Sequence, residues 1–273
     1  MRIAIMQGRL LPPVDGRFQA FPADRWREEF PLAAAAGLAG IEWIFDVEGE
    51  NRNPIATDVG ISELREHSTR HGVAVESLCA DWFLDRPLLR ATSHERAERI
   101  RKLEWLIHRA AAAGIRHLVL PFVDASAIHG GDDETQLLEI LHTALLVAET
   151  FGVEMHLETA LGPRDFAAML ARILHPLLRV NYDSGNSASL GHNPTEEFAA
   201  YGERIGSVHV KDRVRGGGTV PLGNGDADFA AVCDGLREVG YTGLFTLQVA
   251  RADEGDELDW ARHNRVLTEE LFT

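Results

Sequence analysis

Five times along this chain a run of helix-forming residues halts at a glycine and a short apolar run follows at once: AAAGLAGIEW, RHGVAVES, AAGIRHLVL, TFGVEMHLE and EVGYTGLFTL. Glycine ends helices because it enters the left-handed conformation without a Cβ clash. The β-branched and aliphatic residues that follow suit strands. This is the punctuation of tandem strand–helix units. Strands are predicted at Ile3–Met6, Ile41–Phe45, Val73–Leu78, His117–Pro121, Val153–Glu158, Leu178–Asp183, Ser207–Val210 and Leu244–Gln248. Eight such units in 273 residues predict an α/β fold, a single (β/α)8 TIM barrel spanning 1–273 as one domain. An open doubly wound sheet would want a GxGxxG-type phosphate turn after the first strand, and MQGRLLPP supplies none.

Cap and stop signals bound several helices. Thr92 or Ser93 opens one that runs to Ala113 and stops at Gly114, and Asp132 or Asp133 opens another that ends at Gly152. A third begins at Pro163 and ends near Pro176; a fourth is capped by Asp226 and ends at Gly240.

The net charge of −15 repels a polyanion, which argues against nucleic acid as a partner. No apolar run of 18 residues occurs, so no membrane partner is expected. Cys79 and Cys233 lack CxxC spacing and read as buried, reduced thiols, and no signal peptide stands at Met1–Leu11; the expected location is cytoplasmic. Homo-oligomerisation through the outer helices stays open, because no interface stripe stands out.

In a barrel of this kind the chemistry sits at the C-terminal ends of the strands. Glu158, Asp183, His209 and Gln248 stand at or near the ends of the last four predicted strands. Polar residues converging there would be costly to bury unpaired. Two carboxylates, an imidazole and an amide oxygen together make a site for one divalent cation, Mn²⁺, Mg²⁺ or Co²⁺, with Zn²⁺ also compatible.

HVKDR (209–213) with the later LGNGDADF (222–229), together with LET, NYDSGN and GIEWIF, resembles the xylose isomerase-like barrel superfamily, and the resemblance extends over all eight units. It implies metal-ligand roles for Glu158, Asp183, His209 and Gln248. It also implies a sugar or sugar-phosphate substrate and proton transfer through a metal-stabilised enediolate, with Glu158 and position 248 as the acid/base pair. Glu42, inward on the second strand, joins the expected substrate-contacting residues.

Gln248 departs from that pattern, where the family carries Glu. An amide cannot accept a proton near neutral pH. Moving a proton between two faces of a carbon is most simply done by two bases, whereas a 1,2-isomerisation needs one. Read literally, Gln248 tilts the expectation from ketose 3-epimerase toward aldose–ketose isomerase or cyclitol dehydratase; a non-catalytic sugar-binding barrel is the reading from another class. Asp81, Asp212 or His192 could supply a replacement base. Arg9, Lys211, Arg213 and Arg251 fall just past predicted strand ends, where they could hold a phosphate or pair with local acids. Substrate contact is also open for Gln7, Asp81, Trp82 and Asn186. Trp43 and Phe122 are either a sugar-facing wall or core; His156 is a supporting polar residue below Glu158; Asp212 is expected to orient His209 or pair with Arg213.

Overall fold

In the computed structural model, which describes residues 1–252 and 255–272, eight parallel strands close into a barrel. They are Arg2–Met6, Gly40–Ile44, Ala74–Cys79, His117–Phe122, Glu154–Thr159, Leu178–Asp183, Ile205–Val210 and Leu244–Leu247. The ring closes where Ile3 and Ile5 of the first strand pair with Phe245 and Leu247 of the eighth. The expected strands are therefore all present, each within a few residues of its predicted bounds. Gln248 lies one residue beyond the eighth strand, and its N–H still bonds to Val210 O at 3.0 Å.

The glycine stops behave as the punctuation requires: Gly72, Gly114 and Gly152 cap their helices with φ of +65°, +86° and +67°. Thr92 opens Ser93–Ala113 with a reciprocal cap, accepting from the Glu95 N–H while Glu95 bonds back. Three helix ends differ from expectation. The helix after the fourth strand starts at Gly130, because Asp133 reaches back to the His129 N–H at 2.8 Å. The helix at Pro163 ends at Ala171, leaving His175 in the following turn with its Nδ1 accepting from Leu177 N. Asp228, not Asp226, caps Phe229–Glu238; Asp226 instead accepts from the Arg215 N–H.

Apolar side chains fill the space between barrel and helices. Phe21, Trp26, Phe30 and Trp43 interlock there, with Trp43 5.6 Å from Trp26. Trp43 and Phe122 are thus core, and Trp43 Nε1 is satisfied by Asn53 at 2.9 Å. His156 stacks on His117 at 4.3 Å inside the barrel; a Cβ on Gly206 would come within 2.6 Å of its ring, so only glycine leaves it room. Cys79 and Cys233 are buried and unpaired by disulfides. Among the described residues, no helix is long and apolar enough to cross a membrane.

The first helix, Glu29–Ala35, opens on a fully buried carboxyl that accepts from the Gly8 N–H at 2.6 Å. Burial pushes the Glu29 pKa up from 4.5 to about 8. The folded state then keeps a proton that the unfolded chain releases, so stability falls as pH rises from the unfolded value toward 8 and levels off above it. Glu29→Gln should therefore gain about 4 kcal/mol on the wild type at pH 8.5, about 8–16 °C in Tm, and lose most of that advantage by pH 5. Thermal melts across this range check it, and a gap independent of pH would count against a protonated Glu29.

Candidate metal centre and substrate cavity

Parallel pairing sets the functional side chains side by side at one end of the barrel. Asp183 stands opposite His209 in the register of the sixth and seventh strands, and Glu158 is the penultimate residue of the fifth. One ligand atom each from Glu158, Asp183 and His209 lies within 4.8 Å of the other two, and all three residues are buried. Asp183 also caps the helix Ser184–Leu190 through Oδ1, which accepts from the Asn186 N–H at 2.8 Å. Its Oδ2 is left facing the cluster, 3.8 Å from His209 Nδ1 and 3.5 Å from Lys211 Nζ.

The layer beneath fixes the direction of the imidazole. His209 Nε2 lies 2.7 Å from Glu42 Oε1, while Ser77 and Thr246 hydroxyls donate to Glu42 Oε2. Glu42 therefore lies under the cluster, fully buried, and does not line the cavity as expected of a substrate contact. Burial opposes charge on His209, yet Glu42 on one side and Asp183 and Glu158 on the other raise its pKa well above the usual imidazole value. Burial works against charge on Glu42, but His209 and the Ser77 and Thr246 hydroxyls together hold its pKa below the usual carboxylate value.

Two amides hold Glu158. Asn181 Nδ2 donates to Oε2 at 2.7 Å and Asn186 Nδ2 to Oε1 at 2.8 Å. Arg213 fixes Asn186 by donating to its Oδ1 at 2.9 Å, so the guanidinium acts on Glu158 through an amide. Gln248 Oε1 accepts from Lys211 Nζ at 3.1 Å, and its Nε2 donates to Gln19 Oε1 at 3.1 Å.

Do these residues suit a divalent ion? His209 Nδ1 is buried with no hydrogen-bond partner, although Glu158 Oε2 is 3.1 Å away and Asp183 is near. A buried nitrogen aimed at two carboxylate oxygens, its ring fixed through the other nitrogen, fits a cation ligand. The hard oxygen and imidazole donors suit Mn²⁺, Mg²⁺, Co²⁺ or Zn²⁺.

Above the cluster opens a cavity of about 440 Å³ bordered by Asp81, Glu158, Asn186, Lys211, Arg213 and Gln248 among others. Several expected substrate contacts lie outside it. Gln7 is buried, its Oε1 accepting from the Ile44 N–H at 2.9 Å. Arg9 gives its guanidinium to the carbonyls of Phe18 and Val249 and stacks on the Phe18 ring. Arg251 does the same for Gly8, Leu11 and Phe18. These two arginines tie down the loop after the first strand, so the expected four-cation rim is not assembled. Trp82 does not border the cavity; half-buried, it packs on Phe83 and donates to Glu50 at 2.7 Å. Asp212 neither orients His209 nor pairs with Arg213. Its carboxylate accepts from the N–H groups of Gly223, Gly225 and Ala227 and so pins the glycine loop. His192 borders smaller cavities behind the sixth strand.

Gln19 and Asn181 went unrecognised in the sequence, and Lys211 reaches into the cluster where a rim position was expected. Asn181 carried a usable signal, lying two residues before Asp183 and hence on the same face of the strand. Gln19 sits in irregular structure and offered none.

The sequence model described as "Xylose isomerase-like TIM barrel" matches residues 30–270. The chain belongs to the xylose isomerase-like TIM barrel family. L-ribulose-5-phosphate 3-epimerase UlaE of Shigella flexneri is 25% identical to this chain over 240 residues, covering 85% of this chain and 84% of that one. The crystal structure of IOLI protein with a binding zinc atom superposes with a TM-score of 0.79 at 15% identity, over 100% of this chain and 98% of that one. D-psicose 3-epimerase from Clostridium cellulolyticum H10, solved with D-tagatose, gives 0.79 at 14% identity, over 100% and 99%.

Proposed function

We propose that this chain is a divalent-metal-dependent sugar or sugar-phosphate isomerase/epimerase in which Glu158 moves a proton on the carbon beside a ketose carbonyl. The observation that carries this reading is the convergence of Glu158, Asp183 and the unpartnered His209 Nδ1 beneath an open cavity. Relatives named as ribulose-phosphate and psicose 3-epimerases, and one that holds zinc, support it.

Held by Glu158, Asp183 and His209, with Gln248 Oε1 as a fourth donor, a divalent ion would supply Lewis acidity to the substrate carbonyl. Gln248 joins that set by giving up its bond from Lys211. Asn181 and Asn186 keep the Glu158 carboxylate fixed, which reduces the reorganisation needed when it takes a proton. With Gln in place of Glu, the set of Glu158, Asp183 and Gln248 around a 2+ ion is close to neutral, which lowers repulsion of an anionic sugar. Arg213 is the guanidinium on the cavity wall, while Arg9 and Arg251 are held by loop carbonyls.

The test is a calorimetric titration with Mn²⁺, followed by turnover of ribulose and ribulose 5-phosphate. One ion per chain, weakened at least tenfold in Asp183→Asn, and inversion or isomerisation of either sugar are expected. No ion bound and no turnover of either sugar would sink the proposal.

A further inference from the structure

Among the cavity-lining residues, Asp81 is a carboxylate that the chemistry above does not use. It follows the third strand and stands half-buried in the wall shared with Glu158. Its Oδ2 accepts from Gln19 Nε2 at 2.7 Å, and its Oδ1 from the Cys79 thiol at 3.1 Å. Among the described residues, no lysine, arginine or histidine forms an ion pair with it; the cavity's two cations are engaged elsewhere, Lys211 with Asp183 and Gln248, Arg213 with Asn186 and Gly217. Gln248 reaches Asp81 only through Gln19, whose Oε1 accepts from Gln248 while its amide nitrogen donates to Asp81. The amide at position 248 thus aims a carboxyl on another strand end.

We propose that Asp81 is the second proton carrier of this site, filling the acid/base role that Gln248 cannot, so that the chain inverts a carbon beside the substrate carbonyl. The inference rests on the proton-transfer chemistry assigned to Glu158. In one direction the Glu158 carboxylate takes the proton from the C–H bond, and the electron pair moves into the carbonyl to give the enediolate. The Asp81 carboxylic acid then gives its proton to the same carbon as that pair returns, forming the new C–H bond. Glu158 ends protonated and Asp81 ionised, and exchange with water resets both. Burial, reinforced by the nearby Glu158 and Asp46 charges against bonds from Gln19 and Cys79, raises the Asp81 pKa from 3.8 to about 6, within reach of both protonation states near neutral pH. The other free carboxyl on the wall, Asp124, is exposed.

Two half-reactions on two residues can be separated. Asp81→Asn keeps the shape and the bond from Gln19. In D₂O, with Mn²⁺ loaded to the wild-type stoichiometry, epimerisation should fall about 10²–10⁴-fold in both directions. The epimer whose proton Glu158 removes should still exchange that proton for deuterium, while the opposite epimer should not. Gln19→Leu, which removes the aiming amide from a loop, should shift the balance the same way, and in Asp81→Asn Mn²⁺ affinity and Tm should be unchanged. Exchange and inversion falling together, or inversion lost in Asp124→Asn instead, would overturn the role of Asp81. Wild-type protein showing no exchange on any ketose would remove the underlying chemistry as well, a distinguishable failure.

Discussion

Glu158→Gln should lower turnover of the ketose substrate by about 10²–10⁴-fold, the span that a positioned general base contributes. The variant removes the proton acceptor while keeping the side-chain volume. It also brings an NH₂ group against the amides of Asn181 and Asn186, both of which now donate to the carboxylate. One donor must then face another, at a cost of about 1–3 kcal/mol in stability. Melting temperature and Mn²⁺ stoichiometry measured beside the kinetics separate that cost from lost chemistry. Turnover within about threefold of wild type, far below the contribution expected of a general base, would remove Glu158 from the proton path.

The second large effect is expected beneath the site. Glu42→Ala leaves His209 without its buried partner and strips Ser77 and Thr246 of their acceptor. Breaking a buried charged pair from one side costs about 3–5 kcal/mol, roughly 6–15 °C in Tm for a chain of this size. Glu42→Gln should be milder in stability, because an amide oxygen still accepts from His209 Nε2. It should weaken Mn²⁺ binding by about 10–100-fold through looser aim of Nδ1. A melting temperature unchanged in Glu42→Ala would mean that His209 is held by something other than this carboxylate.

How much of this was legible in the chain follows from what each residue answers to. Strand ends in a parallel barrel are placed by backbone pairing, so Glu158, Asp183 and His209 could be assembled from hydrophobic runs and glycine stops alone. The same logic brought Gln248 and Asp81 to the cavity. It failed for Arg9 and Arg251, which lie just past strand ends but answer to unpaired carbonyls in the loop 8–20; an irregular segment over a barrel mouth needs donors, and two long guanidinium groups supply them. Asp212 failed for a similar reason, since three backbone N–H groups of the glycine loop outcompete a single imidazole or arginine. Glu42 was read correctly as inward, but position along the strand decides between floor and cavity, and its pairing with Met6 and Ser77 places it one layer down. Lys211 has a stem long enough to fold back from the rim into the cluster, a choice made by the charges of Asp183 and the amide of Gln248. No local pattern encodes such a choice.

The most direct measurement is proton NMR of the Mg²⁺-loaded protein with ribulose 5-phosphate or a free ketose in D₂O, read against Glu158→Gln at equal metal occupancy. Deuterium should enter at the carbon beside the carbonyl with wild-type protein, accompanied by the inverted or isomerised sugar, and in the variant it should stop for the epimer whose proton Glu158 removes. Sugar conversion without deuterium uptake, or uptake that persists at the wild-type rate from both epimers in Glu158→Gln, would contradict proton transfer by this residue.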